Sequence, residues 1–308
     1  KSIGDLAFFN CVSLQSVAIP ATLTTLGENV FGDCISLQTF AVENGNTAFS
    51  VENDVLMNAE KTTLFCYPPA KTETTYTVPN TVTEIAPYAF ASAADLTDVT
   101  LPTGLQTIGA WAFSQTKLTS IAIPDTVTTI GSYAFCNAEA LKQVQLPNSL
   151  QELQAAAFWG CSSLEQVTLP NTLQEIPIYA FYGCTSLQKL TIPSSVQTIA
   201  SEAFQGMSQK MTIVCNQNSY AETYFQKIIS SDNSQGRESR YTLQTMETPT
   251  ILKGDANQDG EVNVEDAVFV LQYYAKKAAG NPVSVTEAVY QAMNVDDSDY
   301  EKGQGFGQ

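Results

Sequence analysis

Oxygen-bearing side chains recur at a regular spacing between residues 254 and 266. Counting Asp255 as position 1, they fill positions 1, 3, 5, 9 and 12, which are Asp255, Asn257, Asp259, Asn263 and Asp266. Gly260 at position 6 permits a sharp turn, and Glu261 at position 7 offers its backbone carbonyl. Ca²⁺ is held by such 12-residue loops of hard oxygen ligands. Because the spacing fills the whole loop pattern, we predict a calcium site and not merely an acidic turn.

Composition excludes several other kinds of chemistry. The 308 residues contain no histidine, which removes Ser-His-Asp and Cys-His catalysis and every histidine-ligated zinc site. There are 31 acidic residues against 14 basic ones, a net charge of −17, so the surface repels nucleic acid. No apolar run reaches the roughly 18 to 20 residues of a membrane-spanning helix.

A period of about 23 residues governs the first two thirds of the chain. The phenylalanine that recurs, usually in an Ala-Phe pair, is found at Phe8, Phe31, Phe90, Phe113, Phe135, Phe158, Phe181 and Phe204. The one long gap, of 59 residues, equals a normal coil plus a 36-residue insertion. A Leu-x-x-Leu-x-Leu pattern followed by proline keeps the same period, for example at Leu164, Val167 and Leu169 before Pro170. This period and spacing are typical of a leucine-rich solenoid.

With these motifs, residues 1–229 resemble the BspA-like, type 5 leucine-rich repeat family. The resemblance implies a mainly β solenoid whose coils of about 23 residues have short helical turns and are stabilised by stacking on their neighbours. Two apolar runs at 55–57 and 64–67 flank a polar turn and predict an inserted hairpin over about 43–77. Ser219 and Glu222 form a capping box, which predicts a closing helix over about 219–229.

Four of the seven cysteines share the phase of the repeat. Cys11 and Cys34 are 23 residues apart, and so are Cys161 and Cys184. We predict buried free thiols, one per coil, because free cysteine packs as a small hydrophobe. The alternative is a disulfide between adjacent coils, which the spacing of neighbouring strands does not forbid.

Aromatic residues also recur just before the Ala-Phe pair. They are Tyr88, Trp111, Tyr133 and Tyr179. One interpretation is a stripe on which sugars or a partner's side chains stack. The other, which we favour, is half-buried packing around the turn.

The C-terminal part, residues 250–308, follows a polar stretch at 230–249 that we expect to be a linker. In it a helical pattern follows the calcium loop, no helical pattern precedes the loop, and position 12 is Asp. This arrangement resembles a type I dockerin, a small α-helical, calcium-binding module, and implies docking onto a cohesin of a cellulosome scaffoldin. By the same resemblance, the residues before loop position 12 and on the following helix contact the cohesin, namely Val264, Glu265, Gln272 and Lys276.

The second half of this dockerin-like module departs from the family pattern. A second loop starting at Asn294 would have Asp296 and Ser298 at positions 3 and 5, but its position 6 is Asp299 instead of glycine. The second repeat is therefore degenerate or truncated. Asn294, Asp296 and Ser298 are the candidate ligands of a second metal site, whose loop is incomplete.

These features together predict a non-catalytic extracellular interaction protein, with a solenoid that binds a protein or glycan and a module that attaches it to a multiprotein complex. One alternative is a surface adhesin for host or plant-cell-wall ligands. Another is a fragment of a carbohydrate-active enzyme, although the acids Glu84, Glu152 and Glu175 are scattered, whereas glycoside hydrolysis uses two carboxylates about 5 to 9.5 Å apart. The chain opens in mid-repeat, so we expect a signal peptide and further coils upstream.

Overall fold

Short strands repeat along the computed structural model, which describes residues 1–207 and 209–246. In chain order the elements are β1 (Ser2–Ile3), β2 (Ser16–Ile19), β3 (Thr25–Leu26), β4 (Thr39–Val42), β5 (Phe49–Glu52), β6 (Val55–Asn58), β7 (Thr63–Cys66), β8 (Thr75–Thr77), β9 (Glu84–Ile85), β10 (Asp98–Thr100), β11 (Thr107–Ile108), β12 (Ser120–Ala122), β13 (Thr129–Ile130), β14 (Gln143–Gln145), β15 (Glu152–Leu153), β16 (Gln166–Thr168), β17 (Glu175–Ile176), β18 (Lys189–Ile192), β19 (Thr198–Ile199), β20 (Met211–Asn216), α1 (Tyr220–Ser234) and β21 (Tyr241–Met246). They form a β-solenoid of about nine coils, which confirms the predicted solenoid.

Strands line two faces of the solenoid, which we call the front sheet and the back sheet. The front sheet consists of three paired groups, β2–β4, β8–β10 and β12–β14–β16–β18–β20–β21, and the back sheet of β1–β3, β7–β9–β11–β13–β15 and β17–β19. Strands of successive coils pair in parallel, as β16 does with β18 in the register Val167↔Leu190. Inward residues such as Val167 are buried, whereas the flanking Gln166 and Thr168 are exposed.

The recurring phenylalanines form the centre of the core. The rings of Phe90, Phe113, Phe135, Phe158 and Phe181 are fully buried and stack with centroids 5.0–5.5 Å apart. In the coil that carries the insertion, Tyr67 takes the place of the phenylalanine and lies 5.4 Å from Phe90. Each ring covers the next, so the core of one coil depends on its neighbours.

The turns that close the coils are not helical, contrary to what the family resemblance implies. The residue before the Ala-Phe pair and the residue four positions later both have positive φ, for example Trp111 at 59° and Gln115 at 55°. Left-handed residues interrupt a right-handed helix. Among the described residues, α1 is the single α-helix.

The inserted hairpin is part of a three-stranded antiparallel unit. The predicted runs correspond to β6 and β7, and β5 adds a third strand paired with β6. Asn53 and Asp54 connect β5 to β6 with φ of 50° and 64°, which fits a two-residue type I′ turn. The ammonium of Lys71 is nearly buried and contacts Asp54 and Glu73 at 3.1 and 3.2 Å, so this ion pair fastens the turn of the insert to the next coil.

The C-terminal end of the solenoid is closed by α1 and β21. The Ser219 hydroxyl accepts the Glu222 N–H at 3.2 Å, and the buried Phe225 packs against Phe204 and Tyr241. The helix extends to Ser234, and β21 pairs with β20 over six residues. Residues 230–246 therefore belong to the cap and not to the expected linker. Residues 230–234 continue α1, and Tyr241 of β21 packs against Phe225 of that helix. No helix within the described ranges has the length and apolarity needed to cross a bilayer.

All seven cysteines are free, and six of them are buried. The thiols of Cys34, Cys161 and Cys184 donate to the carbonyls of Phe8, Phe135 and Phe158 at 3.0, 3.0 and 3.1 Å. Desolvation raises the pKa of the Cys161 and Cys184 thiols. The prediction of buried free thiols in repeat phase is confirmed at Cys34, Cys161 and Cys184. It is wrong as one thiol per coil, because Cys11 is only half-buried and other coils have Ala93, Thr116 or Ala138 at this position. No disulfide joins the coils that the structure describes.

Candidate interaction surface

The predicted aromatic stripe is a stack of rings on the turn edge of the solenoid. Tyr88 and Trp111 lie 5.7 Å apart with an interplanar angle of 7°, and Trp111 and Tyr133 lie 4.3 Å apart at 10°. All three side chains are half-buried. The structure therefore brings these predicted residues together as one surface feature.

Two further aromatic residues, which the sequence prediction omitted, continue the stack. Where Ala156 interrupts the predicted series, Trp159 lies 6.2 Å from Tyr133 and 4.1 Å from Tyr182. The predicted Tyr179 contacts Trp159 edge-on at 5.2 Å. Both omitted residues directly follow the Phe of the Ala-Phe motif, a phase that the search for residues before the motif did not cover. We call Tyr88, Trp111, Tyr133, Trp159, Tyr179 and Tyr182 the aromatic ladder.

The ladder presents ring edges and polar atoms to solvent. Trp111 has one face covered by Tyr88 and the other by Tyr133. Burial, with a smaller contribution from Asp33, raises the pKa of Tyr88, so its hydroxyl stays protonated as a hydrogen-bond donor. Sugar stacking needs an open ring face, which the middle of the ladder does not provide.

The backbone under the ladder is strained. Tyr88, Trp111, Tyr133 and Tyr179 have φ of 58° to 61°, where a bulky residue costs about 1–3 kcal/mol. The same turn position is occupied by Asn29 and Ala156 in other coils, so turn closure does not require a large ring. Stacking stabilises each pair of rings by about 0.5–1.5 kcal/mol, which offsets the backbone strain. The rings therefore give no clear gain in stability over a small residue at the same position.

The predicted calcium and cohesin residues lie outside the described residues. These are Asp255, Asn257, Asp259, Glu261, Asn263 and Asp266 of the first loop, Asn294, Asp296 and Ser298 of the second, and Val264, Glu265, Gln272 and Lys276 of the docking surface.

The family of the chain follows from its repeats. Residues 1–72, 63–161 and 107–230 match a family model described as a BspA type leucine rich repeat region, in six copies. The chain belongs to the BspA-type leucine-rich repeat family. No curated protein matches the chain.

Solved structures of leucine-rich repeat proteins share this BspA-type solenoid. A leucine-rich repeat protein from Eubacterium ventriosum is 33% identical with a TM-score of 0.55, over 64% of this chain and 59% of that one. A leucine-rich cell surface protein from Faecalibacterium prausnitzii is 27% identical with a TM-score of 0.54, over 72% and 53%. The pneumococcal vaccine antigen PcpA, 23% identical with a TM-score of 0.65 over 80% and 59%, shares the fold. The match thus spans 53–59% of the length of these proteins.

Proposed function

We propose that this protein is a non-catalytic, extracellular interaction protein whose aromatic ladder contacts a protein partner. The observation that carries the proposal is the unbroken series of rings over five successive coils, maintained at Ala156 by Trp159. Leucine-rich repeat proteins are typically binding scaffolds with extended surfaces. The similarity to a Faecalibacterium prausnitzii cell surface protein supports an extracellular location.

A protein partner fits the ladder better than a glycan does. The rings offer edges, tyrosine hydroxyls and indole N–H groups, which suit the apolar and hydrogen-bonding surface of a protein interface. Glycans stack on open ring faces, and the faces of Trp111 are covered on both sides. The surface adhesin remains a variant of the same function, in which the protein partner belongs to a host.

A binding panel tests the class of partner. The full chain is applied to immobilised extracellular proteins and, in parallel, to wall polysaccharides and host glycans. We expect saturable binding to one or more proteins and none to glycans. Binding confined to glycans, or turnover of any polysaccharide, would overturn the proposal.

We propose further that residues 250–308 bind Ca²⁺ and dock the protein onto a cohesin of a multiprotein complex. The donor set fits the ion, because Asp255, Asp259 and Asp266 supply carboxylates, Asn257 and Asn263 supply amide oxygens, and Glu261 supplies a backbone carbonyl. When bound, Ca²⁺ holds these oxygens together against their mutual repulsion. The docking contacts are Val264, Glu265, Gln272 and Lys276, and Asn294, Asp296 and Ser298 are the candidates for a second, incomplete site.

Cohesin capture with and without calcium tests this second proposal. The double change Val264→Asp with Gln272→Glu should abolish binding to a panel of cohesins, because unpaired charge in a desolvated interface is costly, while calcium affinity stays nearly unchanged. Lys302→Gln in the degenerate second loop is the matched control and should bind normally. Capture that persists in chelator, or in the double variant, would contradict the proposed docking surface.

A further inference from the structure

The back sheet is interrupted between β15 and β17. On one side of the interruption, the N–H of Gln154 donates to Ile130 O at 3.0 Å; on the other, the N–H of Ala200 donates to Ile176 O at 3.0 Å. Between β15 and β17 the corresponding ladder bonds are missing, and within the described residues no backbone donor reaches the carbonyl of Leu153.

Pro177 explains the interruption. It occupies the position of Ala86, Gly109, Gly131 and Ala200, whose N–H groups each donate to the preceding coil. Proline has no N–H to donate. A Cβ at this position does not by itself break the ladder, since Gln154 and Ala200 carry one and keep their bonds. The missing N–H of Pro177 therefore accounts for the lost bond.

The gap forms an open cleft of about 700 Å³. Its rim carries Glu152 and Glu175, like charges on facing strands whose separation relieves their repulsion. The front sheet is weakened at the same place, because β14 and β16 pair only through Gln143↔Gln166, whereas β16 and β18 pair through three residues.

Besides the Gln143↔Gln166 pair of the front sheet and the adjacent Glu165 N–H, which donates to Lys142 O at 3.2 Å, two corners hold these coils together. On the turn edge, the N–H groups of Ala156, Phe158 and Gly160 donate to the next coil at 3.0, 2.9 and 2.7 Å, beside the Trp159–Tyr182 stack. At the opposite corner, the Thr172 hydroxyl donates to Leu150 O. The turn edge is held by three backbone hydrogen bonds and a ring stack. Among the described residues, the opposite corner is held only by the Thr172 hydroxyl, which faces the carbonyls of Asn148 and Leu150, so the turn edge is the stronger connection.

We infer that this contact is a joint at which the solenoid flexes about its turn edge. The two stacks of coils rotate relative to each other around the backbone bonds of the turn, and Thr172 acts as the latch that limits the opening. Because the aromatic ladder lies along the pivot, it stays continuous while the curvature of the solenoid adapts.

Hydrogen exchange on the full chain tests the opening. The amides of Gln174 and Glu175 should exchange roughly tenfold or more faster than those of Gln197 and Thr198, which hold the same position one coil later and donate to Gln174 O. Pro177→Ala, which installs the residue found at positions 86 and 200, should slow them, and Ala200→Pro should speed exchange at Gln197 and Thr198. Equal rates in the unchanged protein, or fast exchange that persists in Pro177→Ala, would overturn the inference.

Two further measurements separate a flexing joint from a static cleft. Thr172→Val should accelerate exchange at the Glu165 amide, which donates to Lys142 O across the same contact, whereas Ser195→Ala, which removes the equivalent bond to Leu173 O where the ladder is intact, should not. Spin labels are attached at Glu84→Cys and Ser201→Cys in a chain that also carries Cys11→Ser. The distribution of distances between the two labels should be narrower when Pro177→Ala is added. An unchanged width would mean a cleft that does not flex, and would overturn the joint.

Discussion

At the scale of single residues, the same turn places two kinds of ring in two environments. Phe158 is fully buried between Phe135 and Phe181, whereas the neighbouring Trp159 is half-buried on the surface. The core ring is needed to fill the coil, and the ladder ring is not, because Asn29 and Ala156 show that the turn closes with small residues. Stability and surface recognition are therefore assigned to different positions of one motif.

Substitutions at the two positions should separate these roles. Phe158→Ala should lower the free energy of unfolding by about 3–5 kcal/mol, because it leaves a cavity in the core. Tyr133→Asn should change it by no more than about 1 kcal/mol, because lost stacking is offset by a residue that tolerates positive φ. Urea unfolding followed by circular dichroism measures both. A larger loss for Tyr133→Asn than for Phe158→Ala would show that the ladder is the structural element.

At the scale of elements, the period made the coils and the inward positions predictable, and the capping box of Ser219 and Glu222 made the closing helix predictable. The period could not predict the packing where a coil departs from the repeat pattern. In one coil the aromatic residue is not at position 156, where Ala stands, but three residues later at Trp159. Only the packing shows that Trp159 reaches both Tyr133 and Tyr182. The cap was underestimated, because β21 follows a polar stretch and is held by pairing with β20 more than by its own apolar content.

The N-cap of α1 can be tested directly. Ser219→Ala should lower the free energy of unfolding by about 1 kcal/mol, because the N–H of Glu222 loses its acceptor. Ser234→Ala removes an exposed hydroxyl at the other end of the same helix and serves as the control. Equal effects of the two changes would argue against a specific role for the cap.

At the scale of the whole molecule, the chain divides into two units, Lys1–Met246 and Glu247–Gln308. The solenoid is built around an apolar core, whereas the proposed calcium loop concentrates carboxylates that repel one another when no cation is bound. The two proposals, a protein-binding ladder and a calcium-dependent docking module, therefore rest on different residues and can fail independently.

Chelation should act on the second unit alone. Removing Ca²⁺, or introducing Asp255→Ala, should abolish a calcium-dependent thermal transition and leave the main unfolding transition of the solenoid within about 2 °C of its original midpoint. Differential scanning calorimetry with and without chelator measures both. A shift of the main transition by several degrees would contradict metal-independent stability of the solenoid.

The central claim is that the aromatic ladder binds the protein partner. The affinity of matched variants for the captured partner tests this claim most directly. Trp111→Ala with Tyr133→Ala removes the middle of the ladder, and Thr100→Ala with Ser120→Ala is the control at exposed front-sheet positions of the same two coils, away from the joint. Surface plasmon resonance should show at least about a tenfold loss of affinity for the first pair, as expected for aromatic hot spots, and less than about twofold for the second. Unimpaired binding by the ladder variant, or an equal loss in the front-sheet variant, would contradict the account.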